Sequence, residues 1–143
     1  MLIVSKCLTG ECCRYDGRSK PDPEICALVE KGLAVAVCPE QLGGLPTPRV
    51  PAELTTTGEH VLIGGGRAIT RDGRDVTREF VAGAWAALKI AKEAGASRAI
   101  LKAKSPSCGA GEIYDGSFSG RLAEGRGVTA ALFIKNGIEV ETR

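Results

Sequence analysis

A run of five apolar residues, LAVAV at positions 33–37, constrains the fold more than any other feature of the chain. It has the length of a strand, and a strand that is apolar on both faces belongs in a sheet that helices cover on both sides. A helix is predicted just before it, from Pro23 to Lys31, because proline favours the first helical turn and Gly32 favours the end. This local order of helix and buried strand predicts an α/β fold.

The rest of the chain repeats that order. Further strands are predicted at 2–4, 98–103 and 138–141, the last of them at an edge. One further helix is predicted to begin after Thr77, which is its N-cap, and another to run from Thr129 to Asn136. The first of these helices places Phe80, Ala84, Leu88 and Ala91 on one face. We expect one small domain over residues 1–143, with a Rossmann-like parallel sheet of about four strands, helices on both faces and long cysteine-bearing loops at the carboxyl ends of the strands. A hairpin is predicted over residues 60–74, with its turn at Asp72-Gly73, and a long loop is predicted after residue 103.

The charge and composition exclude several classes of function. A net charge of +2 and an aromatic content of 4% do not favour a nucleic-acid surface. The chain has no apolar stretch of about 18 residues, so no membrane span is predicted. The apolar start, MLIV, lacks the basic flank of a signal peptide, and we therefore expect a cytoplasmic protein.

Six cysteines are unusual for a protein in a reducing compartment, where structural disulfides are rare. Cys7 follows the first predicted strand, Cys38 the second, and Cys108 lies a few residues past the third. Because the carboxyl ends of parallel strands share one edge of the sheet, these three thiols are expected on the same rim.

Three thiols on separate loops are typical of an iron–sulfur cluster that leaves one iron open. A structural zinc site prefers four ligands in paired spacings, and the chain has no C-x2-C pair. Catalysis by a metal-free cysteine needs a nearby histidine, and His60 is the sole histidine. Cys26 is interpreted as a small buried hydrophobe and Cys12 as incidental, whereas Cys13 is either a ligand or a loop anchor.

Five segments resemble the bacterial thiouracil desulfidase family along almost the whole chain: CLTGECCRYDG, CPEQLGGLPTPRVPAE, KSPSCG, IYDGSFSG and GRGVTAALFIKNGIEV. One departure is the second cysteine before RYDG, because the family usually has one there. The resemblance implies a [4Fe–4S] cluster held by Cys7, Cys38 and Cys108. It also implies a catalytic glutamate two residues after the second ligand and a serine three residues before the third, which here are Glu40 and Ser105.

The function implied is an enzyme that removes sulfur from 2-thiouracil, 4-thiouracil or a thio-UMP to give uracil and hydrosulfide. The open iron is expected to bind the soft sulfur, Glu40 to transfer a proton, and Ser105 to orient the ring or relay a proton. The expected partner is a small thiolated base or nucleotide; thiolated tRNA is the less favoured substrate, and the sequence leaves the oligomeric state open. The alternative is a non-catalytic iron–sulfur sensor or a carrier of sulfur or clusters. Gly125 to Thr129 is either a phosphate-binding helix start or a plain turn.

Overall fold

The computed structural model describes residues 1–10 and 15–143. Cys12, Cys13 and Arg14 lie outside the described residues, so the prediction that Cys13 is a ligand or an anchor stays open. The strands are β1 (Leu2–Ser5), β2 (Ala34–Val37), β3 (Ala52–Leu54), β4 (Ala68–Thr70), β5 (Arg98–Leu101), β6 (Ala110–Tyr114), β7 (Leu122–Arg126) and β8 (Glu139–Thr142). The helices are α1 (Pro23–Glu30), α2 (Pro39–Leu42), α3 (Gly58–Leu62), α4 (Thr77–Glu93) and α5 (Val128–Lys135), with a 3-10 helix at Lys6–Thr9.

In the described ranges, four parallel strands form the main sheet in the order β2-β1-β5-β8. Parallel pairing of β1 with β2 on one side and with β5 on the other confirms the predicted α/β class. The chain moves outward from β1 to β2 and then returns to the other side of β1. In open parallel sheets, a ligand crevice forms beyond the carboxyl ends of the strands at such a reversal. The fold therefore puts its natural binding site between β1 and β5.

Helices cover both faces of this sheet, as expected. Alternate strand residues point to opposite faces, so Ile3 packs with the α4 and α5 side while Val4 packs with the α1 side. The larger core contains Phe80 and Phe133, and the smaller one is built around Ile25. The apolar run at 33–37 proves to be an edge strand, β2, with Val35 and Ala36 only partly buried.

The predicted face of α4 is confirmed, because Phe80, Ala84, Leu88 and Ala91 are all buried. The predicted N-cap is wrong by one position: Val76 is the cap residue and Thr77 is the first helical residue. The carboxylate of Asp75 accepts the Thr77 N–H at 2.9 Å and so supplies the capping bond.

Two loop predictions are corrected. Residues 60–62 of the predicted hairpin belong to α3, and β4 pairs instead with β3. The turn at Asp72-Gly73 is present, with Gly73 N–H donating to the Thr70 carbonyl at 2.9 Å. The predicted long loop after β5 contains an antiparallel hairpin of β6 and β7.

Two glycines bring α2 against α4. A Cβ on Gly83 would lie 1.9 Å from the Pro39 carbonyl oxygen, and one on Gly43 would lie 1.9 Å from the Glu79 carbonyl oxygen. Real Cβ atoms cannot approach backbone this closely, so this contact requires glycine both at the end of α2 and within α4. It sets the position of α2 and of the residues at its start.

Replacing Gly83 by Ala is therefore expected to lower the free energy of unfolding by about 1–3 kcal/mol, the usual cost of overpacking, despite alanine's better helix propensity. Urea denaturation of the variant measures this change. Gly65→Ala is the matched control, because its Cβ would meet the nearest atom, the His60 carbonyl oxygen, at an ordinary 3.5 Å. An unchanged urea midpoint for Gly83→Ala would show that α2 can shift without loss.

None of the helices in the described part of the chain is long and apolar enough to cross a membrane.

Candidate functional site

A cavity of about 430 Å³ opens at the carboxyl edge of the sheet, where the strand order reverses. Cys7, Cys38 and Cys108 all line it, together with Glu40 and Ser105. The structure thus brings these five predicted site residues together, whereas Cys13, the other candidate ligand, lies outside the described residues. Their roles as ligands and catalytic groups are not settled by this placement and stay predictions.

Cys7 is positioned by the 3-10 helix that continues β1. The Thr9 hydroxyl closes this turn by donating to the Lys6 carbonyl at 2.7 Å. The Cys7 carbonyl accepts the Lys20 N–H at 2.9 Å. The backbone on both sides of the thiol is therefore held, and the buried side chain lies beside Leu8 and Ile25.

Cys38 is the N-cap residue of α2, and Pro39 occupies the first helical position. The Cys38 carbonyl accepts the Leu42 N–H at 2.9 Å, which begins the short helix. Glu40 follows in the first turn, so one local structure fixes both the thiol and the carboxylate. The glycine contact between α2 and α4 then places this pair against the core.

Cys108 lies in a turn that Ser105 organises. The Ser105 Oγ accepts N–H bonds from Ser107 and from Cys108, each at 3.1 Å. Burial raises the pKa of the Cys108 thiol to about 12, against the effect of hydrogen bonds with Ser5 and Ser107. The charges of Cys38 and Glu40 also act to raise this pKa, which places both groups near the thiol. A positive charge bound beside Cys108 would act in the opposite direction and lower the pKa of this thiol.

The same turn caps α5. Val128 N–H donates to the Pro106 carbonyl at 3.0 Å, and Thr129 N–H donates to the Ser107 carbonyl at 2.8 Å. The Ser107 and Thr129 hydroxyls are 2.8 Å apart and buried. Since protein carbonyls already occupy these amides, Gly125 to Thr129 is a structural turn here and not a phosphate-binding helix start.

Glu40 is held by an arginine that sequence reasoning did not connect to it. Arg49 Nε donates to Glu40 Oε2 at 2.7 Å, and Nη2 contacts the same oxygen. The exposed fractions of the two side chains are only 7% and 14%. Arg49 Nη1 also donates to the Pro46 carbonyl at 3.1 Å and to Thr47 Oγ1 at 3.0 Å. Charge-assisted bonds of this kind fix a carboxylate firmly.

Residues 40 and 49 are nine positions apart, with a proline-rich loop between α2 and Arg49. No helical or strand spacing links them. The contribution of Ser5 was also missed. Its hydroxyl accepts the Lys102 N–H at 2.9 Å from the neighbouring strand's end and faces the Cys108 thiol. Cys26 has a different place, on α1, with its thiol 3.8 Å from the Leu8 carbonyl oxygen. Cys26 lies away from the cavity, but it is only partly buried and so is not the buried hydrophobe that the sequence predicted.

The donor set fits a cluster better than a single metal ion. In residues 1–10 and 15–143, no three His, Cys, Asp or Glu side chains converge on one point as ligands of a single ion would. The three thiols instead surround a cavity, and in an iron–sulfur cluster each thiolate binds a different iron. Thiolate donors with buried surroundings and backbone turns beside them suit such a group.

The fold and site define a class: a small α/β protein whose sheet presents three thiols and a buried carboxylate around one cavity at its strand-order reversal. Comparison with known proteins then assigns the family. The model of the 2-thiouracil desulfurase family matches residues 2–143, and the chain belongs to that family.

Two relatives agree with this assignment. The uncharacterized protein YbbK of Bacillus subtilis (strain 168) is 50% identical over 141 residues, which cover 98% of this chain and 93% of the relative. A solved structure described as the [4Fe-4S]-dependent thiouracil desulfidase TudS superposes with a TM-score of 0.88 at 46% identity, covering 99% of this chain and 89% of that one. The resemblance seen in the sequence is thereby confirmed, as is the expected class of enzyme, a desulfidase.

Proposed function

We propose that this protein is a [4Fe–4S]-dependent desulfidase that hydrolyses the carbon–sulfur bond of a thiolated uracil. One water adds to the thiocarbonyl carbon, the bond to sulfur breaks, and the products are uracil and hydrosulfide. No electrons are gained or lost. The observation that carries this proposal is the meeting of three thiols and the largely buried Glu40 carboxylate around a single cavity in a member of the desulfurase family.

Cys7, Cys38 and Cys108 would hold the cluster. Three protein thiolates leave one of the four irons without a protein ligand, and when bound such a cluster supplies a soft Lewis acid for sulfur. Loading requires the Cys108 thiol to lose its proton, since thiolate is the form that binds metal.

Glu40 is proposed to take the proton from the attacking water. The Arg49 Nε and Nη2 contacts described above go to Oε2, and Oε1 is proposed as the oxygen that takes the proton. A positioned general base contributes about 10²–10⁴ in rate. Arg49 acts through Glu40, by holding the carboxylate in place, and is a positioning residue.

Ser105 has two roles in this proposal. Its oxygen holds the Cys108 turn through two N–H bonds, and its hydroxyl is proposed to orient the ring of the substrate or to relay a proton. A hydroxyl can accept two such bonds and still donate one.

The substrate is proposed to be a free thiolated uracil or its nucleotide. A cavity of about 430 Å³ lies within the usual size range for a small ligand. Lys6, Lys102, Arg71 and Arg74 line it. These cations suit a phosphate, so thio-UMP is tested beside the free bases. The location that we propose is the cytoplasm, where thiols stay reduced.

The testing experiment uses protein purified without oxygen and reconstituted with iron and sulfide. Loss of 2-thiouracil, 4-thiouracil and 4-thio-UMP is followed together with release of sulfide. Stoichiometric sulfide, with uracil from the free bases or UMP from 4-thio-UMP, would support the proposal. A stable cluster without turnover of any of the three compounds would favour the sensor or carrier function, and a protein that takes up no iron would contradict the cofactor.

Ser105→Ala is expected to reduce kcat by about tenfold or more and to lower the cluster content, because the Cys108 turn loses its acceptor. Ser105→Thr keeps the oxygen and should restore the iron content. Iron analysis and kcat per loaded cluster separate the two effects. Full kcat per cluster in Ser105→Ala would remove Ser105 from catalysis and leave it a structural residue.

A further inference from the structure

The tip of the β6–β7 hairpin, residues 115–121, forms a wall of the same cavity. Phe118 and Gly120 at the tip, and Tyr114 at the end of β6, all line it. The proposed chemistry makes no use of this wall. The contacts that hold this wall in place indicate which kind of ligand it can bind.

Phe118 has a left-handed backbone, with φ of 56°. Bulky residues rarely adopt this conformation, which costs about 1–3 kcal/mol and persists only where the surroundings impose it. The surroundings do so here: Glu53 Oε1, on β3, accepts N–H bonds from Gly116 at 2.9 Å and from Phe118 at 3.2 Å. A Cβ on Gly116 would lie 2.8 Å from the Leu54 carbonyl oxygen, so the tip rests directly on β3.

The ring of Phe118 is also held. The Arg71 guanidinium carbon, next to the turn after β4, lies 5.7 Å from the ring centroid, a cation–π distance. The Glu53 carboxylate from β3 thus holds the strained backbone of Phe118, and the Arg71 cation at the end of β4 lies over its ring. Together they fix one half-buried aromatic ring at the cavity wall.

The other aromatic side chains suit this position less well. The chain has one tryptophan, two tyrosines and three phenylalanines. Phe133 belongs to the core, Phe80 lines the cavity but is buried in the core at 2% exposure, and Trp85 is exposed on α4. Tyr15 and Tyr114 line the cavity, but their exposed fractions are 43% and 37%.

We infer that Phe118 determines specificity by stacking on the planar heterocycle of the substrate. This inference rests on the proposed function and adds the residue that recognises the ring. Stacking of a base on an aromatic side chain selects flat rings and tolerates substituents, because it uses the π-face. Stacking on Phe118 would therefore permit a pyrimidine with sulfur at either position, whereas the thiols and Glu40 would act on the carbon–sulfur bond.

The test compares cluster-loaded wild type with Phe118→Leu, Phe118→Tyr and Trp85→Leu. Two readouts are used: kcat and KM for 4-thiouracil, and the Kd of uracil, the product, by calorimetry. Phe118→Leu is expected to raise both KM and the uracil Kd by about tenfold while kcat stays near the wild-type value, as expected for loss of uniform binding. Phe118→Tyr keeps the ring and should match wild type, and Trp85→Leu controls for loss of an aromatic residue elsewhere.

The outcomes distinguish failure of the stacking inference from failure of the proposed reaction. An unchanged uracil Kd in Phe118→Leu overturns the stacking inference, even if turnover falls, and so does the absence of measurable uracil binding by wild type. Loss of kcat and iron at an unchanged Kd would mean a structural role and would also overturn it. If wild type turns over no thiouracil but binds uracil in a Phe118-dependent manner, the proposed reaction fails and the inference stands.

Discussion

Cys108→Ser is expected to abolish desulfidation and to reduce the iron content well below the roughly four irons per chain of a full cluster. At neutral pH the serine hydroxyl stays protonated and is a poor ligand for iron, whereas the cysteine thiolate is the usual ligand. The side chain is 5% exposed and similar in size to serine, so the protein should still fold. Iron and sulfide analysis, with the visible absorption of the cluster, measures the loss.

Cys26→Ser is the matched control. Its thiol lies on α1 beside the Leu8 carbonyl, and serine can donate to the same acceptor. Iron content and turnover should equal those of wild type. Full loading of Cys108→Ser would contradict the assigned ligand set, whereas loss of iron in Cys26→Ser would show that any thiol replacement disturbs the protein.

Glu40→Gln is expected to lower kcat by about 10²–10⁴ at normal iron content. The amide has the same shape but accepts no proton from water. Glutamine also loses the ion pair with Arg49, which lies beside it with an exposed fraction of only 7%, so some loss of stability is expected. Turnover per cluster, measured beside the thermal midpoint, separates the chemical effect from the structural one.

Glu59→Gln provides the control for this change. Glu59 also pairs with an arginine, Arg126 at 2.8 Å, but both side chains are nearly half exposed, with fractions of 47% and 45%. An exposed pair contributes little, so stability and kcat should remain at wild-type values. If Glu40→Gln kept full turnover per loaded cluster, Glu40 would be a structural partner of Arg49 and another group would take the proton.

Several features of the protein follow from the sequence by itself. Continuous apolar runs, helix-start prolines and helix-end glycines predict β1, β2, α1, α4 and β5 correctly, because each signal acts within a few residues. The placement of the three thiols on one rim follows from the same elements. Parallel strands all end at the same edge of the sheet, so residues just after them must meet there.

The tertiary structure decided the rest. The β6–β7 hairpin was not predicted because its strands are mostly exposed and show no regular apolar alternation. The run at 33–37 lies at an edge because strand order depends on how helices pack, which its local pattern does not encode.

The site depends on the same kind of distant contact. Arg49 reaches Glu40 across a proline-rich loop, and Glu53 holds Phe118 from 65 residues away. No periodicity connects such pairs, since their approach results from the closing of loops over the sheet. The sequence therefore determined which chemical groups this protein brings to its cavity, and the folded chain alone decided which residues hold them in position.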